Sequence, residues 1–315
     1  MKVLSVIGNV LREHSGERNM SKSGANRRNQ NRDHNALMTS ERGLSAKVLK
    51  WIAMITMIID HAAQAIIVPF FNSGYFSYHL LDDVYQTMRI IGRLSFPLFI
   101  FLIVDSFFYT RDRRRFVRGL LIFALISELP FDIVVTIPIW GQNAISKDLL
   151  LDQNIFFTLL IGVLCLMFSE YVFHGAPALI SDKEVQNRQK KKGNTAPERP
   201  LAVSLLLVAL ITAAGCGLAY ILHVDYGMYG VLAIVLAYLI RRTGHRKLEI
   251  FGIVLATVFS SIYELFGLLS GLAMFASNGK RGNIRHKWFY YIFYPGHLAV
   301  LACIKLMIIH YAGVI

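Results

Sequence analysis

The chain has 315 residues, of which 55% are hydrophobic and 17% charged, whereas a soluble domain carries about 25% charged residues. Its net charge of +13 would suit a nucleic-acid surface, but the cations are confined to a polar tail and to short loops between apolar runs, where membrane topology places them. Composition therefore excludes an ordinary soluble domain and argues against nucleic acid; membrane lipids are the partner it predicts. The three cysteines, Cys165, Cys216 and Cys303, lie in apolar runs without paired spacing and read as small core residues.

The first residues, MKVLSVIGNV, are too short an apolar stretch for a signal peptide, and 1–11 fit at most a short interfacial helix. Residues 14–43, rich in Arg, Asn, Ser and Gly, cannot bury a core, so 1–44 are expected to form a disordered basic cytoplasmic tail. The rest, 45–315, is expected to be one all-α, polytopic transmembrane helix bundle. Apolar runs near the ~20 residues needed to cross a bilayer fall at about 47–70, 89–110, 116–137, 154–174, 201–222, 228–241, 248–275 and 288–311. That makes about eight spans, eight to ten at the limits. The sixth is short; the seventh is long, and its Gly-rich LFGLLSGLAMF half could bend back as a re-entrant piece. Residues 181–200 form a polar loop.

Basic loops set the orientation. The tail, RDRRRFVR (111–118), the RQKKK loop and RRTGHRK (241–247) alternate with less basic loops. The N-terminus and these loops are thus expected in the cytoplasm, and the chain in the inner membrane of a bacterium. NGKRGNIRHK (278–287) breaks the rule if the seventh segment crosses once.

An ionisable side chain inside a membrane helix costs about 2.5–3.5 kcal/mol on insertion scales, so each one asks for a reason. The first span carries Asp60 and His61 with Gln64 one turn on. Arg93 lies near the start of the second, where Pro97 frees backbone groups for a cavity. The third contains SELPFD, which places Glu128 and Asp132 on one helix face around Pro130. Asn154 opens the fourth; HVDYGMYG, with Asp225 and Tyr226, joins the fifth to the sixth. Glu264 lies in the seventh, Arg281 in the basic loop, and Tyr294 and His297 in the eighth. Singly, each fits an interhelical hydrogen bond, a snorkelling cation or a cap. Together they sort by depth: nearly all fall in the outer half of the eight-span arrangement, and the inner half has little beyond Asp105. A shared cavity explains that sorting; scattered structural residues do not.

A histidine can take a proton from a nucleophile and return it. A carboxylate can hold its tautomer, and Glu128 suits that role better than Asp60, since neighbours on a helix point about 100° apart. An arginine can bind phosphate or stabilise an oxyanion. His61, Asp60, Arg93 and Glu128 are the candidate catalytic set; Asp132, Asn154, Asp225, Tyr226, Glu264, Arg281, Tyr294 and His297 are candidate substrate-binding residues. The same residue types would serve a proton-coupled transporter or lipid flippase, although no internal repeat of the kind such folds show is visible. No nucleophile elbow, P-loop or His-Glu-x-x-His signature is present, and no metal is expected.

IDH, GRLSFPLFIFLIVDSFFYTRD, RGLLIFALISELPFD, QNIFFTLLIG, DYGMYGVL and NGKRG followed by YYIFYPGHL occur in this order over about residues 45–311. Together they resemble the TraX family of conjugal-transfer and fimbrial-assembly membrane proteins. The resemblance implies transfer of acetyl from acetyl-CoA to an amine or hydroxyl acceptor such as a pilin-like N-terminus or a surface glycan. It also implies that Asp60, His61, Arg93, Glu128, Asp132, Asn154, the Asp225-Tyr226-Gly227 turn, Tyr294 and His297 form the family's polar core. A non-catalytic assembly factor, indifferent to loss of His61, is the third reading.

Overall fold

The computed structural model describes residues 43–71, 73–136, 152–174, 200–259, 262–280 and 287–312. They form an all-α bundle, and among them no strand is present, only the isolated bridges Leu44–Ser277 and Gln153–Val224. The expected tail up to residue 42, the 181–200 loop bar Pro200, and Arg281 lie outside the described residues.

Helix α1 (Ala46–Ala62) starts where the Ser45 side chain accepts from the Val48 amide, and continues through a π-helical turn and a short 3₁₀ turn to Phe70. Helices α2 (Tyr78–Gly92) and α3 (Ser95–Tyr109) are nearly continuous. The break between them follows from Pro97, which has no N–H for the Arg93 carbonyl four residues earlier. Helix α4 (Arg113–Phe131) is capped by Asp112 through the Arg115 amide and, past Pro130, loosens into a π-helical turn, Asp132–Thr136. Helices α5 (Ile155–His174), α6 (Leu201–Ile221) and α7 (Gly227–Arg242) follow. Next come α8 (Arg246–Val258), a 3₁₀ turn (Ile262–Gly267), α9 (Leu268–Phe275) and α10 (Lys287–Ala312).

Among the described residues, five helical stretches are long and apolar enough to cross a membrane: Ala46–Phe70, Tyr78–Tyr109, Ile155–Phe173, Leu201–Ile221 and Phe289–Tyr311. Leu206, Leu210 and Ile221 of α6 are among many exposed large apolar side chains, as a lipid-facing helix requires. The second stretch starts at Tyr78, eleven residues before the run expected from 89, because α2 is an amphipathic lead-in to α3.

Ion pairs fix which helix ends lie together. Arg241 near the end of α7 bonds Asp105 of α3 and Glu249 of α8; Arg242 and Arg113 pair with Glu170 near the end of α5. We call this the basic end. The segment after α9 is there too. Leu44 N–H donates to the Ala276 carbonyl (2.7 Å), Asn278 N–H to Leu44 (3.0 Å), and Arg246 at the start of α8 donates to the Ser277 hydroxyl (3.1 Å). Segment 246–280 therefore leaves the basic end and returns to it. It is a hairpin, and the NGKRG loop begins beside the other basic loops.

Helix α10 runs parallel to α1, with Trp51 against Phe289 near the basic end and His61 against His297 farther along. The seventh of the runs expected from hydropathy is thus, among the described residues, bent back on itself, as its Gly-rich second half allowed. Length alone could not separate a long tilted span from a bent one.

Candidate functional site

Asp60 and His61 lie about 20 Å along α1 from its first residue, at ~1.5 Å per residue. Asp60 faces α2, where Arg89 donates to it at 2.7 Å and Arg93 approaches its other oxygen at 3.5 Å. Gly92 permits this: a Cβ there would lie 2.2 Å from the Asp60 Oδ1. Arg93 donates its second terminal nitrogen to Glu264, at 2.8 Å. Glu264 is fully buried and comes from the hairpin apex, where Gly267 packs beside the Arg93 carbonyl and Pro97. The hairpin thus delivers a carboxylate into the bundle from a segment that never reaches the far end. Arg89 is the residue sequence reasoning missed; the signal was two arginines one helical turn apart, 89 and 93, on the face toward Asp60.

His61 turns away from that network. Its Nδ1 lies 2.8 Å from the His297 Nε2, with the rings stacked at 5.1 Å, and the His297 Nδ1 lies 2.9 Å from the Phe293 carbonyl. A carbonyl only accepts, so the His297 Nδ1 carries a proton and, in the neutral ring, its Nε2 is the acceptor. The His61 Nδ1 must then be the donor, which leaves the His61 Nε2 as an unprotonated base with no protein partner among the described residues. Asp60 and Glu128 were the expected orienting groups; the structure gives that bond to His297, from a helix 236 positions away. Tyr294 stands edge-on to both imidazoles, at 6.0 and 5.4 Å between ring centres.

Glu128 is engaged instead by the Asn154 amide side chain in a short hydrogen bond and by its backbone N–H at 3.3 Å. The Asn154 side chain also donates to the Ala124 carbonyl and accepts from the Phe156 amide, capping α5. Asp132 is buried on the π-helical turn beyond Pro130. Asp225 lies in the tight turn before α7; its amide donates to the Gln153 carbonyl (2.8 Å) and its carbonyl accepts from Thr158. Its carboxylate stands in the field of Arg93, Asp60 and Arg89 with no direct bond to any of them. Tyr226 follows at φ 61°, left-handed backbone that costs a non-glycine residue about 1–2 kcal/mol, and its ring stacks on Phe96 at 3.5 Å. The sequence-predicted residues thus gather into a carboxylate–arginine network, an imidazole pair with Tyr294, and a Glu128–Asn154 clamp. Among the described residues no group of three or more His, Cys, Asp or Glu could hold a metal.

A cavity of about 640 Å³ reaches this cluster from the basic end. Lys50, Met54 and Met57 line it on one stripe of α1, and His61 is the next position of that stripe; Tyr290 and Tyr294 line it on α10, ahead of His297. Asp105 and Arg111 lie at its outer mouth, Leu102, Leu120 and Leu159 at its waist, and Ile155 and Phe156 at its inner end.

Long apolar helices around buried ion pairs make this a membrane protein. A family model described as TraX protein matches residues 45–305, and the chain belongs to that family. It is 26% identical over 294 residues to a protein of Dichelobacter nodosus named probable fimbrial assembly protein FimC, serogroup H1. The match covers 86% of this chain and all of that protein. No solved structure matches.

Proposed function

We propose that the protein is a membrane-bound acyltransferase, transferring acetyl to an amine or hydroxyl of an acceptor outside the cytoplasm. The observation that carries this reading is the Phe293–His297–His61 relay, which leaves one imidazole nitrogen as a base one stripe position beyond Met57, and Met57 lines a cavity open to the basic end. In this mechanism the acceptor's N–H or O–H gives its proton to the His61 Nε2 as the nucleophile attacks the acyl carbonyl. The proton then passes to the departing thiolate. His297 holds the tautomer, as a carboxylate does in a serine hydrolase triad. Arg93, with both terminal nitrogens committed to Asp60 and Glu264, positions the acceptor side of the site. Acetyl-CoA is the donor the family resemblance suggests.

The basic end is assigned to the cytoplasm of a bacterial inner membrane. The hairpin supports this, because it places the start of the NGKRG loop with the other basic loops and removes the one breach of the positive-inside bias. Cysteines introduced at Ser45 and Asn278 should then be labelled from the same side; labelling from opposite sides would contradict the hairpin. A pilus-related acceptor draws support from the FimC relative, whose name also favours a second reading, a non-catalytic assembly factor. Labelled acetyl-CoA with purified protein and membranes separates the two. The acyltransferase reading requires transfer that His61→Ala abolishes, whereas an assembly factor shows none with either form and keeps pilus assembly in the variant.

A further inference from the structure

The 640 Å³ cavity extends about 16 Å along α1, from Ala46 to Met57. The mouth offers cations and aromatics: Arg111 is exposed at the rim, and the Lys50 ammonium lies 4.8 Å above the Tyr290 ring. The waist is apolar. The inner end is different. The Tyr294 hydroxyl there is buried and makes no hydrogen bond among the described residues, although its residue is only 3% exposed. It lies near the Ile155 backbone N–H, the first amide of α5, without reaching hydrogen-bond geometry. A buried phenol without a partner is costly and rare in native structures. This one stands at a helix N-terminus, where partial positive charge favours a developing anion, with its ring 6.0 Å from that of His61.

On these grounds we infer that the cavity holds the phosphopantetheine arm of an acyl thioester, and that the Tyr294 hydroxyl donates to its carbonyl oxygen. This rests on the acyl-transfer reading above. Lys50 and Arg111 face the phosphate end of the arm, and the thioester arrives beneath His61. In the step itself the acceptor nitrogen or oxygen bonds to the carbonyl carbon. The carbonyl π pair moves to oxygen, where Tyr294 stabilises it, and the His61 Nε2 takes the acceptor's proton. Collapse restores the carbonyl and breaks the C–S bond, and the thiolate takes the proton from His61. Tyr294 takes the oxyanion role that was one of two open to Arg93 from sequence; Arg93 instead hydrogen-bonds Glu264 at 2.8 Å and lies 3.5 Å from Asp60. Coenzyme A and an acyl-carrier protein present the same arm.

The test uses the full chain in lipid nanodiscs and S-acetonyl-CoA labelled with ¹³C at its ketone, a probe that keeps the carbonyl and cannot transfer. The infrared carbonyl band of the bound probe should move to lower wavenumber in wild type and in His61→Ala, and revert in Tyr294→Phe. Alanine at both Lys50 and Arg111 should weaken probe binding about tenfold, the scale of lost charge-assisted contacts. Transfer from acetyl-CoA should fall about 100-fold in Tyr294→Phe, as for removal of one oxyanion donor, with donor KM little changed. Running the transfer with acetylated acyl-carrier protein alongside acetyl-CoA decides which carrier supplies the arm. An identical band in bound wild type and Tyr294→Phe, or no binding by wild type, overturns the inference. If the band shifts but no preparation transfers acetyl, the arm site stands and the acyltransferase reading falls.

Discussion

The two ends of the bundle both bury charge, and they bury it differently. At the basic end Arg241 is shared by Asp105 and Glu249, and Glu170 takes Arg242, Arg113 and the Tyr238 hydroxyl. No carboxylate oxygen there is buried without a hydrogen bond. At the site, Glu128 and Glu264 each keep one buried oxygen without a hydrogen-bond partner, and Asp60 keeps one whose nearest cation is Arg93 at 3.5 Å. Each such atom costs on the order of 1–3 kcal/mol. A network that only tied helices together would satisfy its carboxylates, as the one at the basic end does, where the unpartnered buried atoms are the Nε of Arg113 and of Arg246. One that leaves acceptors and a phenol open is arranged for something that arrives later.

That contrast can be broken most sharply at His61. His61→Ala should remove acetyl transfer by about 10²–10⁴-fold, the range for a general base, and leave thermal unfolding in detergent almost unchanged, since the site's ion pairs run through Asp60. Retained transfer would mean that His61 is part of the framework. Arg241→Ala should do the reverse. It strands Glu249, fully buried, and Asp105, at a cost of about 3–5 kcal/mol in unfolding free energy. Transfer per folded molecule should fall far less than in His61→Ala, because the substitution is remote from the histidine pair and touches the cavity only at its mouth, through Asp105. Equal losses of activity in the two variants would erase the distinction between the ends.

The sequence shows one of these networks better than the other. Asp60, His61 and Arg93 stand out because each interrupts a long apolar run. Arg89, Glu170 and Glu249 do not: each lies near the end of an apolar run, where charge is ordinary. Depth ordering suggests which residues share a level of the bundle, yet partner choice is invisible to it. The Nδ1 partner of His61 is a histidine on another helix, and Glu128 pairs with Asn154 across a stretch that carries no periodic signal. The helices themselves are legible because a ~20-residue apolar run has few alternatives. The hairpin announces itself as a long run with a Gly-rich second half and as a breach of charge bias at NGKRG, and its direction follows from backbone hydrogen bonds at Leu44 that no composition encodes.

A subtler intervention acts on the geometry between the two arms of the site. Gly92→Ala puts a methyl 2.2 Å from the Asp60 Oδ1, so either the Arg89 pair opens or α2 shifts from α1. Overpacking of this kind costs about 1–3 kcal/mol. Transfer should fall as well, because His61 follows Asp60 on the same turn. Melting and turnover both equal to wild type would show that Asp60 is free to move and that the network is not rigid.

The smallest effect compares two tyrosine hydroxyls, one at each end. The Tyr238 hydroxyl donates to Glu170 and accepts from Arg242 at 3.1 Å. Tyr238→Phe should therefore lower unfolding free energy by about 0.5–1.5 kcal/mol, the net value of one hydrogen bond, and leave transfer untouched. The Tyr294 hydroxyl is buried without a bond, so Tyr294→Phe removes a desolvated group and loses nothing in return. Its stability should be equal to wild type or slightly higher. Chemical denaturation of the two variants side by side reads this directly. A stability loss in Tyr294→Phe matching that of Tyr238→Phe would place the Tyr294 hydroxyl in the framework, and the open arrangement of the site would then end at the carboxylates.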